Sequence, residues 1–281
     1  MNSTIYSQIL TQEKDALVVY NFFLIAFVGL IAGSFLNMLI YRLPLGISLT
    51  NPKRSTCTTC NHTILWYENI PVLSYLFLKG KCSNCENKIS IFYPIIELLT
   101  AVVTLLLYIK LGLNIKFYFM LFIFYILIVL SCIDLRYKAV PDYLLVLLVA
   151  VTITYLIVYK IETLSVFFIF AGGIFMIDLF VTYYIQNIKA KLLNDPSLET
   201  QKAIGEGDIP IIAVIGGLLG LEFGILAIFL SAIFAIIPSI INMISKKEIE
   251  TPFIPYLSLA FFVTYMNEKS LQVLLEGLQF T

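Results

Sequence analysis

Residues 93–133 read YPIIELLTAVVTLLLYIKLGLNIKFYFMLFIFYILIVLSCI, and this stretch contains two long apolar runs, at 93–109 and 117–133, with Lys110 and Lys116 between them. Runs of roughly 17 to 25 apolar residues are long enough to cross a hydrocarbon core of about 30 Å as helices. A bilayer cannot hydrogen-bond an exposed backbone, so such runs must be helical. The stretch therefore predicts two membrane-spanning helices joined by a tight turn.

The composition of the whole chain supports the same interpretation. Hydrophobic residues make up 60% of the 281 residues, charged residues make up 13%, and the mean hydropathy is +0.94. These values lie far outside the range of a soluble domain. The formal net charge is zero, so bulk charge gives no reason to expect a nucleic-acid or acidic partner. We therefore expect an all-α polytopic membrane protein in contact with the lipid bilayer.

The apolar stretches between charges predict about eight transmembrane helices. They fall at residues 16–40, 93–109, 117–133, 143–159, 164–188, 209–221, 223–244 and 252–266. The sixth is short and contains Gly216, Gly217 and Gly220, so we expect a short, tilted or re-entrant segment buried by its neighbours. The first is expected to be a permanent span, because Glu13 and Asp15 precede it where a signal peptide would be basic.

The basic residues are distributed unevenly between the two sets of loops. With eight spans and the N-terminus outside, one side holds thirteen of the eighteen: Arg42, Lys53, Arg54, Lys79, Lys81, Lys88, Arg136, Lys138, Lys189, Lys191, Lys202, Lys246 and Lys247. Cytoplasmic loops of membrane proteins carry such an excess. We therefore expect the connections at 41–92, 134–142, 187–208 and 245–251 in the cytoplasm, and the chemistry with them.

The largest of these loops contains two CxxC pairs, Cys57 with Cys60 and Cys82 with Cys85. Two residues between paired cysteines let both thiolates turn onto one metal ion. Two such pairs complete a closed tetrahedral site, usually for zinc, with no open position for catalysis. The alternative is two disulfides, which are rare in a reducing compartment. We therefore predict a structural zinc ion.

Two further residues of metal-binding type lie outside this set. His62 follows Cys60 by two positions, but four thiolates already fill a tetrahedral site, so we expect a solvated loop residue. Cys132 lies in an apolar run and has no CxxC partner. It is expected to pack as a small hydrophobic residue.

Two carboxylates lie at the predicted cytoplasmic ends of spans, where charged groups are costly. Asp134 ends the third span in SCIDLRYKAVPDYL, and Asp208 opens the sixth in AIGEGDIPII, where two glycines permit a close backbone approach. A close pair does not readily ionise twice, so one acid could activate water while the protonated one polarises a peptide carbonyl, as in aspartyl proteases. The alternative is structural, with Asp208 capping a helix and Asp134 paired with a nearby basic residue. Spacing alone does not decide between these interpretations.

Four other acids are candidates for supporting roles. Asp142 follows Pro141 near a helix start, where capping explains it. Asp178 lies within the fifth span and needs a buried partner or water, so it could belong to a polar network. Glu97 lies in the first turns of the second span and is expected to orient a loop or to contact a basic substrate segment. Glu206 is expected to be solvated.

Seven features, in this order, resemble the type IV prepilin peptidase family over nearly the whole chain. They are GSFLNMLIYRLP at 33–44, the two CxxC pairs, WYENIPVLSYLFLKGKC at 66–82, YPIIELLTA at 93–101, IDLRYKAVPDYL at 133–144, GEGD at 205–208 and TPFIPYLSLA at 251–260. A lone GxGD would not identify the family, because presenilin-like intramembrane proteases have a related motif. The ordered set is specific.

The resemblance implies that Asp134 and Asp208 are the catalytic aspartates. It implies prepilins or pseudopilins as substrates, with a short basic leader, an apolar helix and cleavage after a glycine at their junction. It also implies methylation of the new N-terminal amine with S-adenosylmethionine, an activity associated with the cysteine-bearing loop. No Rossmann-like GxGxxG indicates the methyl-donor residues. The chain departs from many relatives at Pro210, where they have a basic residue, and in a longer connection at 189–203.

We therefore expect three regions in a bacterial inner-membrane protein with a cytoplasmic catalytic face. They are an N-terminal span at 1–40, a four-cysteine zinc loop at 41–92 and a transmembrane aspartyl peptidase domain at 93–281. An alternative function is an ion or solute transporter that uses intramembrane carboxylates. Another is a membrane-tethered zinc ribbon that recruits nucleic acid or protein. Basic and aromatic residues are little interleaved in the loop, so no nucleic-acid partner is expected.

Overall fold

The structure is a computed structural model and describes residues 2–51, 54–244 and 251–279. Lys53 lies outside these ranges, as does most of the predicted connection at 245–251 with both of its lysines. Within the described part of the chain, all regular secondary structure is helical apart from isolated bridges between single residues. The predicted all-α fold class is therefore confirmed.

The chain forms two compact units, Met1–Leu121 and Phe122–Thr281, and the boundary falls within helix α4, Ile115–Tyr137. In the first unit, α1 (Asn2–Arg42) packs antiparallel against α3 (Phe92–Leu111). Together with the connection between them, these two helices make up most of the first unit.

Glycines allow the two long helices of the first unit to approach closely. A Cβ atom added at Gly29 would lie 2.6 Å from the Cα of Ala101, and one added at Gly33 would lie 2.6 Å from the Cα of Glu97. Small residues spaced by four positions permit such close backbone contact between membrane helices. The GxxxG pair of α1 therefore sets the distance between α1 and α3.

The connection between these helices carries a 3-10 helix at Trp66–Asn69 and the short helix α2 at Leu73–Phe77. At the end of α1, the buried guanidinium of Arg42 donates to the carbonyls of Ser48 at 2.9 Å and Leu49 at 3.2 Å. These bonds attach the start of the connection to the end of the helix.

The second unit contains most of the other helices. They are α5 (Asp142–Tyr159), α6 (Leu164–Tyr183), a π-helix (Tyr184–Lys189), α7 (Ala190–Leu193), a 3-10 helix (Pro196–Thr200), α8 (Asp208–Ile244) and α9 (Ile254–Gln279). Helix α8 packs against α5, α6 and α9. Every residue from Ile211 to Leu219 is buried, so the first part of α8 forms the core of this unit.

Helix α8 reverses direction near its middle. Gly220 has φ 80° and ψ −177°, outside the helical region, and divides α8 into two segments. A Cβ atom added at Gly224 would lie 3.2 Å from the Cα of Gly216, although residues eight apart in a straight helix are about 12 Å apart. The chain therefore folds back at Gly220, in a conformation that residues with side chains rarely adopt.

The first segment of α8, residues 208–219, corresponds to the predicted sixth span. Its length is about 18 Å by helical rise, shorter than a hydrocarbon core of about 30 Å. At its end, Lys160 Nζ donates to the carbonyl of Leu218 at 3.1 Å, which satisfies one of the acceptors that a helix C-terminus leaves unpaired. The expectation of a short segment buried by its neighbours is confirmed.

Six helical stretches among the described residues are long and apolar enough to cross a membrane. They are Val19–Arg42, Phe92–Leu111, Ile115–Tyr137, Asp142–Tyr159, Ile161–Leu193 and Asp208–Ile241. The predicted count of eight is not confirmed. The sixth and seventh predicted spans are the two segments of α8, and the eighth falls on α9, where the polar residues 267–269 interrupt the apolar sequence.

Gly216→Ala is expected to destabilise the second unit by about 1–3 kcal/mol. A Cβ atom there would overlap the ring of Phe170, so the helices that carry the two residues must move apart to accommodate it. Gly172→Ala, in α6, is the matched control. Apart from its chain neighbours and the backbone of its own helix, no heavy atom of the described residues lies within 4 Å of its added Cβ, and alanine is favoured over glycine in helices by up to about 1 kcal/mol. Thermal unfolding in detergent compares the two variants. Equal thermal unfolding temperatures for Gly216→Ala and Gly172→Ala would contradict the tight packing at Gly216.

Candidate active site and metal centre

Asp134 is buried in the last turn of α4. Its Oδ2 accepts a hydrogen bond from the backbone N–H of Ile254, the first residue of α9, at 3.2 Å. Helix α4 ends just beyond, where Lys138 adopts φ 51° and donates its N–H to the Asp134 carbonyl at 2.9 Å. The carboxylate therefore faces the N-terminal end of α9, where the helix dipole favours a negative charge.

Asp208 is the first residue of α8, and its carboxylate lies over Gly205. A Cβ atom added at Gly205 would come within 3.0 Å of Oδ2 of Asp208. The backbone N–H of Asp208 donates to the Gly205 carbonyl at 3.0 Å, which closes a tight turn. A side chain at the first glycine of GxGD would therefore crowd the aspartate carboxylate.

Gly207, the second glycine of the motif, packs against residues that lie near Asp134. A Cβ atom there would lie 2.7 Å from Cγ2 of Val140 and 3.5 Å from Cδ1 of Ile254. Ile254 is also the residue whose N–H binds Asp134. The carboxylates of Asp134 and Asp208 are close enough to interact electrostatically. The structure thus brings together two acids that are far apart in sequence.

Ile254, whose backbone N–H binds Asp134, was not among the predicted site residues. The segment TPFIPYLSLA resembles the family, but its residues alone assign it no role. Pro252 and Pro255 are the signal that could have identified it, because proline is frequent at the first turn of a helix. The first N–H groups of a helix are unpaired within the helix and bind acceptors from elsewhere in the protein.

The other acids occupy different environments. Asp142 was expected to cap a helix, but Pro141 occupies the N-cap position of α5. Asp142 is an exposed residue of the first turn, where an acidic side chain complements the helix dipole. Glu206 was expected to be solvated, and its side chain is 79% exposed. It forms an ion pair with Lys202, whose hydrogen bond and charge hold the pKa of Glu206 below its usual value. Asp178 contacts the connection that leads into GxGD.

In the first unit, the four paired cysteines converge. The Sγ atoms of Cys57, Cys60, Cys82 and Cys85 all lie within 4.8 Å of one another. Four thiolates bound to zinc at about 2.3 Å would be about 3.8 Å apart, and the Cys57–Cys85 and Cys60–Cys82 pairs are separated by 3.9 Å and 4.0 Å. All four are free thiols, so the disulfide alternative is not observed. The cluster fits a tetrahedral metal ion.

Each CxxC pair forms the same short hairpin. The N–H of Cys57 donates to the carbonyl of His62 and the N–H of Cys82 to that of Asn87, both at 2.9 Å. In both hairpins, the fourth residue after the first cysteine adopts a left-handed conformation. The backbone N–H of Cys60 is the main cause that lowers the pKa of Cys57 to about 6. This favours the thiolate, the form that binds metals.

Glu97 fastens the segment between the two cysteine pairs to α3. It is buried, and its Oε2 accepts a hydrogen bond from the backbone N–H of Val72 at 2.7 Å. Val72 has φ 61°, a rare conformation for a β-branched residue. Glu97 therefore orients the loop, as expected.

His62 is not among the converging metal ligands, and its Nε2 lies 3.9 Å from Oε2 of Glu68.

Two protein-family models match the chain. The Bacterial Peptidase A24 N-terminal domain matches residues 27–111, which include the four-cysteine cluster. The Type IV leader peptidase family matches residues 121–240, which include Asp134 and Asp208. No solved structure matches the chain.

Relatives that extend over most of the chain are named prepilin leader peptidase/N-methyltransferase. The relative from Vibrio cholerae is 31% identical over 252 residues, which cover 87% of this chain and 96% of the relative. The relative from Bacillus subtilis is 28% identical over 247 residues, with coverage of 86% and 93%. The relative from Neisseria gonorrhoeae is 30% identical over 249 residues, with coverage of 79% and 82%. The chain therefore belongs to the type IV leader peptidase family.

Proposed function

We propose that this protein cleaves the leader of type IV prepilins or pseudopilins by aspartyl protease chemistry at Asp134 and Asp208, and that it N-methylates the new N-terminal residue. The observation that carries the proposal is that Ile254 donates its N–H to Asp134 and also lies close to Gly207, the glycine directly before Asp208. Family membership and the names of the relatives support the same reactions. The transporter alternative has no support among these relatives.

The reaction needs two carboxylates in different protonation states. The ionised acid removes a proton from water as the water oxygen attacks the peptide carbon, and the protonated acid donates its proton to the carbonyl oxygen. The tetrahedral intermediate then collapses. The C–N bond breaks, and the leaving nitrogen takes a proton from the acid that accepted it from water. The other acid takes back a proton from a hydroxyl of the intermediate, which forms the product carboxyl group and restores the starting protonation of the pair. Mutual repulsion between close carboxylates keeps one proton on the pair before attack.

The proposed setting is the bacterial inner membrane, with the two acids at its cytoplasmic face. Six helices of spanning length among the described residues support a membrane location, as do the bacterial relatives. The bias of basic residues toward one set of loops supports the cytoplasmic orientation. In this orientation, a basic leader in the cytoplasm and an apolar helix in the bilayer place their junction at the level of the acids.

The proposed division of the chain assigns residues 41–92 to a zinc loop that supports methylation and residues 93–281 to the peptidase. The four converging thiols support a zinc ion, because zinc prefers closed tetrahedral thiolate sites. Such a site has a structural role, without an open position for substrate. S-adenosylmethionine would supply the methyl group. We assign no residues to the donor, because no nucleotide-binding glycine pattern occurs in the sequence.

Reconstitution tests both activities directly. The purified protein in liposomes is incubated with a synthetic prepilin that has a basic leader, a glycine, a phenylalanine and an apolar helix, and the products are weighed by mass spectrometry. We expect loss of the leader after the glycine, and one additional methyl mass on the mature product when S-adenosylmethionine is added. An intact prepilin would refute the peptidase assignment. A cleaved product without added methyl mass would refute the second activity.

A further inference from the structure

Three polar side chains project from one face of α6 and the π-helix that continues it. Asp178, Thr182 and Gln186 are spaced by four residues, a spacing that places helical side chains on the same face. The carboxylate of Asp178 is costly in an apolar helix unless it is hydrogen-bonded. The groups that donate hydrogen bonds to this carboxylate therefore indicate what Asp178 does.

All three side chains bind the residues that lead into GxGD, a segment at 201–204 that we call the strap. Gln186 Nε2 donates to the carbonyl of Gln201 at 3.1 Å. Thr182 Oγ1 accepts from the N–H of Ala203 at 3.0 Å. The strap thus runs along α6 in the opposite direction to the helix.

Asp178 completes this set of contacts. Its Oδ1 accepts from the N–H of Ile204 at 3.0 Å and from Thr182 Oγ1 at 3.2 Å. The Thr182 hydroxyl therefore donates to the carboxylate and accepts from the strap at the same time. Two backbone N–H groups that would otherwise need water are satisfied by side chains of one helix.

The strap ends next to the proposed catalytic group. Ile204 directly precedes Gly205, over which the carboxylate of Asp208 lies with 3.0 Å between Oδ2 and an added Cβ. The other side of the motif is held by Gly207 against Val140. A displacement of Ile204 would move the surface on which the Asp208 carboxylate rests.

We propose that Asp178 and Thr182 are positioning residues for Asp208, acting through the strap. The inference rests on the proposed function, in which Asp208 is catalytic. The connection between the π-helix and α8 is long and mostly exposed, and such a segment samples many conformations unless it is tethered. The bonds from Asp178 and Thr182 remove this freedom next to the motif. The carboxylate acts as a hydrogen-bond acceptor in this role, without carrying a proton or an ion.

Paired substitutions test the proposal in the full-length protein. Asp178→Ala and Thr182→Val remove the acceptors for Ile204 and Ala203, and we expect each to lower kcat for leader cleavage roughly 10- to 100-fold. KM should stay within about twofold, because these side chains are engaged in hydrogen bonds to each other and to the strap. Asp178→Asn and Thr182→Ser keep an acceptor oxygen and should restore most of kcat. Asn187→Ala is the control, because among the described residues its side chain donates to the carbonyl of Tyr183, one turn earlier, and not to the strap.

Hydrogen exchange provides a readout that does not depend on activity. Peptides covering the strap should exchange faster in Asp178→Ala and Thr182→Val than in Asn187→Ala. If Asp178→Ala and Thr182→Val both kept the wild-type kcat and the wild-type rate of hydrogen exchange in the strap, the proposal would be overturned. If Asp178→Asn lost as much kcat as Asp178→Ala, the charge would be required and the positioning role would be refuted. Asp208→Asn is assayed in parallel: cleavage by that variant would refute the proposed function, independently of the result at Asp178.

Discussion

Asp134→Asn and Asp208→Asn are each expected to reduce prepilin cleavage by roughly 10²- to 10⁴-fold or more, the range supplied by a positioned general acid or base. Both carboxylates are needed in the proposed reaction, because one must accept a proton from water while the other donates one. An amide can do neither. Mass spectrometry of the prepilin after single-turnover incubation measures the loss.

The asparagine variants separate chemistry from folding at these positions. The Asp134→Asn variant retains a side-chain oxygen that can accept the N–H of Ile254, so the start of α9 should remain bound to α4. Asp142→Asn is the control, since Asp142 is an exposed acid in the neighbouring first turn of α5. Full cleavage by either the Asp134 or the Asp208 variant, or loss confined to the Asp142 variant, would sink the assignment.

The second large effect is expected at the four-cysteine cluster. Cys82→Ser or Cys60→Ser removes one of four converging ligands, and we expect metal affinity to fall by more than the roughly 10- to 100-fold that second-shell changes cause. Binding of a structural zinc ion is worth about 10–16 kcal/mol in small zinc domains, so its loss should disorder the loop. Methylation of the mature product should fall with metal content, whereas leader cleavage should persist.

Metal analysis of the purified protein, combined with both activity assays, checks this expectation. Cys132→Ala is the matched control, because Cys132 lies in α4 outside the cluster and should leave metal content unchanged. Removal of the metal with a chelator should reproduce the effect of Cys82→Ser. If methylation continued at the wild-type rate without metal, the link between the cluster and this activity would be wrong.

The number of spans shows where local sequence patterns stop being sufficient. Apolar runs at 209–221 and 223–244 predict two helices, and the reversal at Gly220 does separate them. Yet the first segment is too short to cross a bilayer as an isolated helix. Hydropathy measures only what each residue prefers and does not report which neighbours surround a segment. Helix α8 packs against α5, α6 and α9, and the burial of Ile211–Leu219 within the fold makes the short segment stable.

The functional residues also divide into those that local sequence patterns predict and those whose role depends on tertiary packing. The four cysteines were predicted to converge from local spacing, because a CxxC pair carries its geometry within a few residues. The two acids were candidates from their positions at the ends of spans, and the family resemblance supplied their catalytic role, because spacing alone left a structural role open. The amide of Ile254 and the strap contacts of Asp178 were not predicted in these roles, because each joins residues far apart in sequence. Asp178 was expected only to need a polar partner.

The sequence by itself determined that this protein is helical, apolar enough for a membrane and equipped with two carboxylates and four thiols, because hydropathy, charge and motif spacing are properties of neighbouring residues. Only the tertiary structure decided that Asp134 and the GxGD loop share Ile254, that the thiols converge within 4.8 Å and that α8 reverses at Gly220. These arrangements arise from close packing between distant segments, and close packing depends on the whole fold.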